Sequence, residues 1–325
     1  MNDFRSTASH ETLKARAMLL RQTRAFFDDR GFLEVQTPIL SADTVVDRHI
    51  DPVAVALTDD PFSVSAGRRM WLQTSPEFAM KRLLASGMQA IYQIGPAFRV
   101  GEAGHQHNPE FTMLEWYRCG DTIEQGMDLL SEFAAQALNR PRAVTVTMAA
   151  AFLEHAGFDP FVETAAGLRQ RCDELSLAYP DSIAADDWDT WFDLLFASRV
   201  QPHLGHDAPA IVRDYPASQS ALAQVREGDP PVAERFELFV DGVELANGYL
   251  ELLDAHELLA RNRLANQQRI AEGRQSLPET SRLVDAMRSG LPPCVGAALG
   301  FDRLTMLVTG CPSIADVIPF PTDRA

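Results

Sequence analysis

Between residues 11 and 30, Leu13, Ala17, Leu20, Arg24 and Phe27 fall at helical spacing, so the chain opens with a long helix. Gly31 ends that helix just before the β-rich run 32–35. The run reaches Pro38, which donates no ladder hydrogen bond and belongs at an edge or a bend. Short apolar runs at 70–72 and 91–94 predict strands, separated by a helix that opens at Ser75-Pro76-Glu77 with a capping serine and a proline at its first position. Residues 111–118 are again strand-like. From about 120 to 230 the pattern turns helical and acidic, with 186–189 as a surface cap, and reads as a mainly helical insertion within one domain spanning 1–325. Sheet character returns at 236–240, where Asp241-Gly242 offers the two positive-φ positions of a tight hairpin turn. Helices follow at about 254–273 and 279–289, then a strand over 294–300 that passes into a helix containing Arg303. Hairpin-connected strands interleaved with helices predict an α+β fold, an antiparallel β-sheet flanked by helices.

The 46% hydrophobic content over 325 residues is enough to bury a substantial core. No stretch approaches the roughly 20 apolar residues of a membrane helix, so no membrane contact and a cytoplasmic location are expected. Cys119, Cys172, Cys294 and Cys311 lack CxxC pairing and read as buried thiols. His105 with His107, and His203 with His206, lack a third ligand at metal spacing and read as loop and surface histidines. The formal charge of −16 argues against a long nucleic-acid interface, which needs lysine and arginine to displace counterions from phosphates. A GxxxxGK[ST] loop is absent, so any nucleotide site is not a P-loop.

Strand alternation puts Phe111, Met113, Glu115 and Tyr117 on one face, and Arg99 at the end of the preceding strand can reach it. An arginine suits an α-phosphate, which it grips bidentately, and a phenylalanine stacks on a purine; the same set also reads as a hairpin whose aromatics are core. A two-residue turn pairs Phe239 with Glu244 and Glu237 with Ala246, leaving Glu237 and Glu244 close together on one face. Such a pair suits Mg²⁺ shared with nucleotide phosphates, or is a solvated acidic face. Asn247, Tyr249 and Glu251 have the opposite parity and need a bulge at Asn247-Gly248 to turn toward the same cleft. Gly296, Ala298 and Gly300 share a face that admits a ligand close to the backbone, or else tight helix packing. Arg303 just beyond adds a second positive charge for a phosphate chain.

In this order the pieces resemble the signature motifs of class II aminoacyl-tRNA synthetases. Gly31-Phe32-Leu33-Glu34-Val35-Gln36-Thr37-Pro38 resembles the dimer-forming first motif, Phe98-Arg99 through Phe111 the second, and Gly300-Phe301-Asp302-Arg303 the third. His107-Asn108-Pro109-Glu110-Phe111-Thr112-Met113 and Glu244-Leu245-Ala246-Asn247-Gly248-Tyr249 are similar to the lysyl branch. The resemblance covers nearly the whole chain. It implies the class II catalytic fold, ATP and Mg²⁺ as cofactors, and a two-step reaction through an acyl-adenylate. It further implies that Arg99 holds the α-phosphate and the substrate carboxylate, that Phe111 stacks adenine with Asn108 nearby, and that Arg303 meets the γ-phosphate. Leu245 and Gly300 would line the nucleotide, and Glu237 and Glu244 would hold Mg²⁺. Glu251 and Tyr117 would receive the side-chain ammonium of a lysine-like substrate, and Glu77 its other amino group, with Ser75, Pro76, Asn247 and Ala298 around it.

Two departures sharpen the resemblance. The second motif usually reads Phe-Arg-x-Glu, whereas Arg99-Val100-Gly101-Glu102 moves the carboxylate one place, so the adenine contact comes either from Glu102 in a rearranged loop or from backbone. In lysyl-tRNA synthetases an anticodon-reading barrel precedes the catalytic domain; here the first motif begins within about 30 residues of Met1, and no anticodon-binding domain and no tRNA acceptor are expected. The Thr74-Ser75-Pro76-Glu77 string, Glu115-Trp116-Tyr117-Arg118 and the terminal Asp323-Arg324-Ala325 look like the elongation factor P (R)-β-lysine ligases. That family implies elongation factor P and (R)-β-lysine as partners and a homodimer. Ala298 stands where lysyl-tRNA synthetases typically have glycine, and the added methyl is expected to disfavour α-lysine by about 1–3 kcal/mol.

Overall fold

The N-terminal segment runs through α1 (His10–Asp28), β1 (Leu33–Glu34), β2 (Leu40–Ser41), β3 (Ala54–Leu57), β4 (Arg68–Leu72), α2 (Glu77–Ala85), β5 (Ala90–Phe98) and β6 (Glu110–Cys119). The middle carries α3 (Ile123–Leu138), β7 (Val144–Thr147), α4 (Met148–His155), α5 (Ala165–Glu174), α6 (Trp188–Leu195), β8 (Ala210–Pro216), β9 (Val225–Arg226), β10 (Val232–Val240) and β11 (Val243–Leu250). The chain closes with α7 (Ala255–Ala271), α8 (Arg282–Gly290), β12 (Cys294–Gly300) and α9 (Phe301–Thr309). This computed structural model describes residues 4–60, 62 and 67–325. It resolves into two units, one made of Met1–Asp121 with Glu251–Ala325, the other of Thr122–Leu250.

In the first unit β1, β5, β6 and β12 lie side by side in that order, β1 parallel to β5 and the other pairs antiparallel. A smaller antiparallel sheet has the order β2-β4-β3. The Ser9 hydroxyl caps α1 by accepting from Thr12 N at 3.0 Å, and Gly31, at φ +77°, turns the chain out of the helix toward β1. The buried face of α1 sets Phe27 against Tyr92 (4.8 Å between ring centroids, stacked), Trp116 (5.2 Å) and Phe32 (5.2 Å). Arg16 of α1 pairs with the buried Asp302 at 2.6 Å and donates to Thr112 Oγ1 at 2.8 Å, while Asp302 Oδ2 accepts from Thr112 N at 2.7 Å. One arginine thus fastens the start of α9 to the start of β6. Pro76 is the N-cap of α2, so that helix begins one residue later than its sequence suggests.

In the second unit β11, β10, β8 and β7 follow one another, with β9 also on β10; β7 and β8 are parallel, the rest antiparallel. The stretch expected to be mainly helical holds α3 to α6 and also contributes β7, β8 and β9. Phe152, Trp191, Phe192, Phe196, Tyr215 and Phe239 fill the core of this unit. Asp187 caps α6, its Oδ1 accepting from Thr190 N at 3.1 Å. Asp241 (φ +52°) and Gly242 (φ +75°) make the expected positive-φ turn between β10 and β11.

The register of that hairpin departs from the regular ladder. Phe239 is opposite Glu244 as expected, but the pairing shifts between Leu238 and Phe239, so that Leu238 faces Ala246 and Glu237 faces Asn247, not Ala246. The bulge therefore lies at Leu245, not at Asn247-Gly248. Because the extra residue inverts parity beyond it, Glu237, Glu244, Asn247 and Tyr249 share one face.

Candidate active site

The first unit builds a pocket on the face shared by β6 and β12. Glu115 is directly opposite Ala298 and Tyr117 opposite Gly296, and directly opposed residues point to the same side. Glu251 is delivered beside them by its backbone N–H, which donates to Cys294 O at 3.0 Å, and α2 brings Glu77. All three carboxylates are buried, Glu251 completely. The Ser75 hydroxyl donates to Glu115 Oε2 at 2.7 Å and the Tyr117 hydroxyl to Oε1 at 2.5 Å, so Glu115 is held from both sides. Lys81 Nζ lies 2.6 Å from Glu77 Oε1 and 2.5 Å from Glu251 Oε2.

Burial, reinforced by Glu77, pushes Glu115 up to about 7. Burial likewise lifts Glu251 to about 8, with Lys81 opposing and Glu77 adding to the rise. Burial by itself disfavours the charged form of Lys81, yet the attraction of Glu251 and Glu77 outweighs it and holds the ammonium above the ordinary lysine value. The set titrates as a unit in which protons are shared, not as separate acids. Glycine is required at 296: a Cβ there would run into the Tyr117 ring and lie 2.6 Å from Glu251 Oε1. The face thus has a floor of one missing side chain and walls of carboxylate, the form of a cation pocket.

Phe111, six residues along β6 from Tyr117, is about 20 Å from the acidic end. The Arg99 guanidinium lies 5.1 Å from its ring centroid, and Arg99 Nε donates to Thr74 O at 3.4 Å. Gly101 takes φ +81°, a turn that brings Glu102 back to 3.5 Å from Arg99; Val100 is anchored by its N–H to Asp51 O at 2.8 Å. The one-place displacement of the carboxylate is therefore absorbed by a left-handed glycine, and Glu102 returns to the arginine. Asn108 is a structural tie: its Nδ2 donates to Glu110 O at 2.5 Å and its Oδ1 accepts from Thr322 N at 3.1 Å. Gly300 faces Met113 on the same side of the sheet, and Arg303 in the first turn of α9 meets His107 Nε2 at 2.5 Å. Partial desolvation and the cations Arg303 and Arg99 lower the His107 pKa against a smaller opposing pull from Glu102, which favours the neutral ring beside the guanidinium. His107 is an exposed loop histidine, as expected, and touches Arg303, while His206 is an exposed partner of Pro202 O.

In the second unit Glu237 is buried, its Oε2 accepting from the Tyr215 hydroxyl at 2.6 Å and its Oε1 paired with Arg235. Glu244 also acts on Tyr215 electrostatically, which brings both carboxylates to one locality. Each carboxylate oxygen has two lone pairs, so these bonds are compatible with a hard cation that keeps most of its water. Asn247 Nδ2 donates to Tyr249 OH at 3.1 Å, and its Oδ1 is a buried acceptor with no hydrogen-bond partner among the described residues. No group of three or more acidic, histidine or cysteine side chains suited to a metal occurs among the described residues. Cys172 and Cys294 are buried as expected, but Cys119 and Cys311 are only half-buried, and all four are free thiols.

Two pocket residues carried no role in the sequence reading. Glu115 had been placed on the right face by strand alternation, which was signal enough to find it. Lys81 follows Glu77 by four residues on α2, a spacing that allows an ion pair but does not reveal burial.

A sheet of this connectivity with paired arginines at one end and a closed acid pocket at the other defines an adenylate-forming synthetase core, and the chain belongs to the class II tRNA synthetases (D, K and N), whose family model matches residues 1–324. Membership makes it a ligase that draws on ATP. It is 43% identical over 324 residues to the elongation factor P--(R)-beta-lysine ligase of Yersinia enterocolitica serotype O:8, a match covering 99% of this chain and 98% of that relative. It is 42% identical, with the same coverage, to the elongation factor P--(R)-beta-lysine ligase of Salmonella typhi. No helix among the described residues is long and apolar enough to cross a membrane.

Proposed function

We propose that this chain activates (R)-β-lysine with ATP and transfers it to a lysine side chain of elongation factor P. The observation that carries the reading is the buried set of Glu77, Glu115 and Glu251 above Gly296. Buried carboxylates are costly unless cations offset them, and a diamino acid brings two. Tyr117 and Glu251 receive the distal ammonium and Glu77 the other, with the carboxylate directed toward Arg99. That carboxylate attacks the α-phosphorus of ATP in line, and pyrophosphate leaves as Arg99 and Arg303 stabilise the developing charge. The neutral amine of the acceptor lysine then attacks the carbonyl of the adenylate, the amide forms and AMP departs. Neither step needs a covalent enzyme intermediate.

Glu237 and Glu244 would hold Mg²⁺, which when bound offsets phosphate charge. Glu102, Asn108, Leu245 and Gly300 belong to the nucleotide end of the reading, Asn108 through the loop it ties. The charge of −16 favours a protein acceptor over tRNA, which would ask for a basic tract. A homodimer joins the reading through the first motif, where Leu33 of β1 is 56% exposed.

The test is the intact mass of purified elongation factor P after incubation with this protein, ATP, Mg²⁺ and either lysine isomer. A gain of one lysyl unit, larger with (R)-β-lysine, is expected. Pyrophosphate exchange without any gain on the factor would remove elongation factor P as the acceptor.

A further inference from the structure

Lys81 takes no part in the chemistry above, although its ammonium sits among the acids that do. The side chain is 2% exposed. Its Nζ contacts Glu77 Oε1 at 2.6 Å and Glu251 Oε2 at 2.5 Å, and the Tyr117 ring centroid is 5.9 Å away. An ammonium has three donors and no acceptor, so it can bridge two carboxylates but cannot replace either of them as a receiver of amino groups. Resting on the diamino-acid reading of this pocket, we propose that Lys81 is the positioning residue that fixes the separation of Glu77 and Glu251, and so selects the spacing between the two amino groups of the substrate.

Three features support this. A single nitrogen touches both acids, so their facing oxygens are no farther apart than those two contacts laid end to end, whereas two buried carboxylates without a cation repel each other. Both anchors are stiff: Glu77 and Lys81 are one turn apart on α2, and Glu251 is pinned through its backbone to Cys294. The two lysine isomers differ in this dimension: β-lysine carries its amino groups one carbon closer together than α-lysine, and its carboxylate one carbon farther from the nearer of them. The composition agrees as well: three carboxyl side chains face one lysine, which leaves acceptors for the two amino groups of a diamino acid.

The test is ATP–pyrophosphate exchange with (R)-β-lysine and with α-lysine, comparing the wild-type protein with Lys81→Met, which keeps the length and loses the charge, and Lys81→Arg, which keeps the charge and changes the reach. Melting curves with ATP alone report whether each variant folds, and Lys81→Arg carries the test if Lys81→Met does not. Folded variants should show a KM for (R)-β-lysine raised about 10- to 200-fold, the span expected for a methylene-sized misfit. Their ratio of kcat/KM between isomers should fall toward one, and the KM for ATP should stay unchanged. A lowered melting temperature with an unaltered isomer ratio would make Lys81 a stability element and overturn the inference alone. A wild-type protein that exchanges with neither isomer would overturn the functional reading, and the inference with it.

Discussion

At the scale of single residues, the pocket is governed by what is missing at two positions of β12. Gly296→Ala would drive a methyl into Tyr117 and Glu251, and displacing reacting groups by about 1 Å can cost about 100-fold. Exchange with the diamino acid is therefore expected to fall by roughly that factor, while ATP binding, measured by calorimetry, persists. Ala298 is the converse case. It faces Glu115 across the ladder, so Ala298→Gly should raise kcat/KM for α-lysine by about 10-fold or more, and an unchanged value would sink its role in discrimination. Much of this was legible beforehand, because period-two alternation alone put Glu115 and Tyr117 together on one face of β6 and Gly296 and Ala298 together on one face of β12. Lys81 was not legible. A lysine in a helical sequence ordinarily keeps its charge in water, and only tertiary structure puts a second acid, 170 residues away in the chain, against it.

At the scale of elements, the strands and helices followed the periodicities closely, since α1, β5, β6 and β12 each carry a long pattern and a clear terminator. What escaped was local geometry with no compositional mark. The bulge at Leu245 has no glycine to announce it, and it decides which face Asn247 and Tyr249 occupy. The strands β7 and β8 lie within a helical context that masked them. A different element-level dependence concerns α1, whose Arg16 pairs with the buried Asp302; burial raises that carboxyl while Arg16 opposes the rise. Removing one partner of a buried pair costs about 3–5 kcal/mol. Arg16→Met should lower unfolding free energy by about that amount in urea titration and raise the KM for ATP, because α9 carries Arg303 from the same anchor.

At the scale of the whole molecule, the acid pocket couples stability to pH. A carboxyl whose pKa is higher in the folded protein takes up a proton on folding, so its contribution is full below the unfolded value of 4.5 and is lost as pH rises through the folded one. For Glu115 that loss runs up to about 7, and for Glu251 up to about 8. The ligand-free protein should therefore lose unfolding free energy between about pH 5 and pH 8, and Glu115→Gln should flatten part of the slope. Bound diamino acid favours the ionised acids, so its KM should fall over the same interval and its binding should release protons, which calorimetry in buffers of different ionisation enthalpy measures. A KM independent of pH from 6 to 8 would contradict the shared-proton description.

The unit that holds the acid pocket is written in two pieces, with residues 122–250 between them. Synthesis proceeds from the N-terminus, so Glu77, Lys81, Glu115 and Tyr117 leave the ribosome long before Glu251 and the glycine at 296 exist. The middle unit is contiguous and can complete its own core first, while the earlier segment waits without Glu251, the second acid against Lys81, and with one edge of β6 unpaired. Closure of the pocket is thus among the last events in the life of the nascent chain, and a premature stop anywhere before β12 leaves a product with no floor to its binding site.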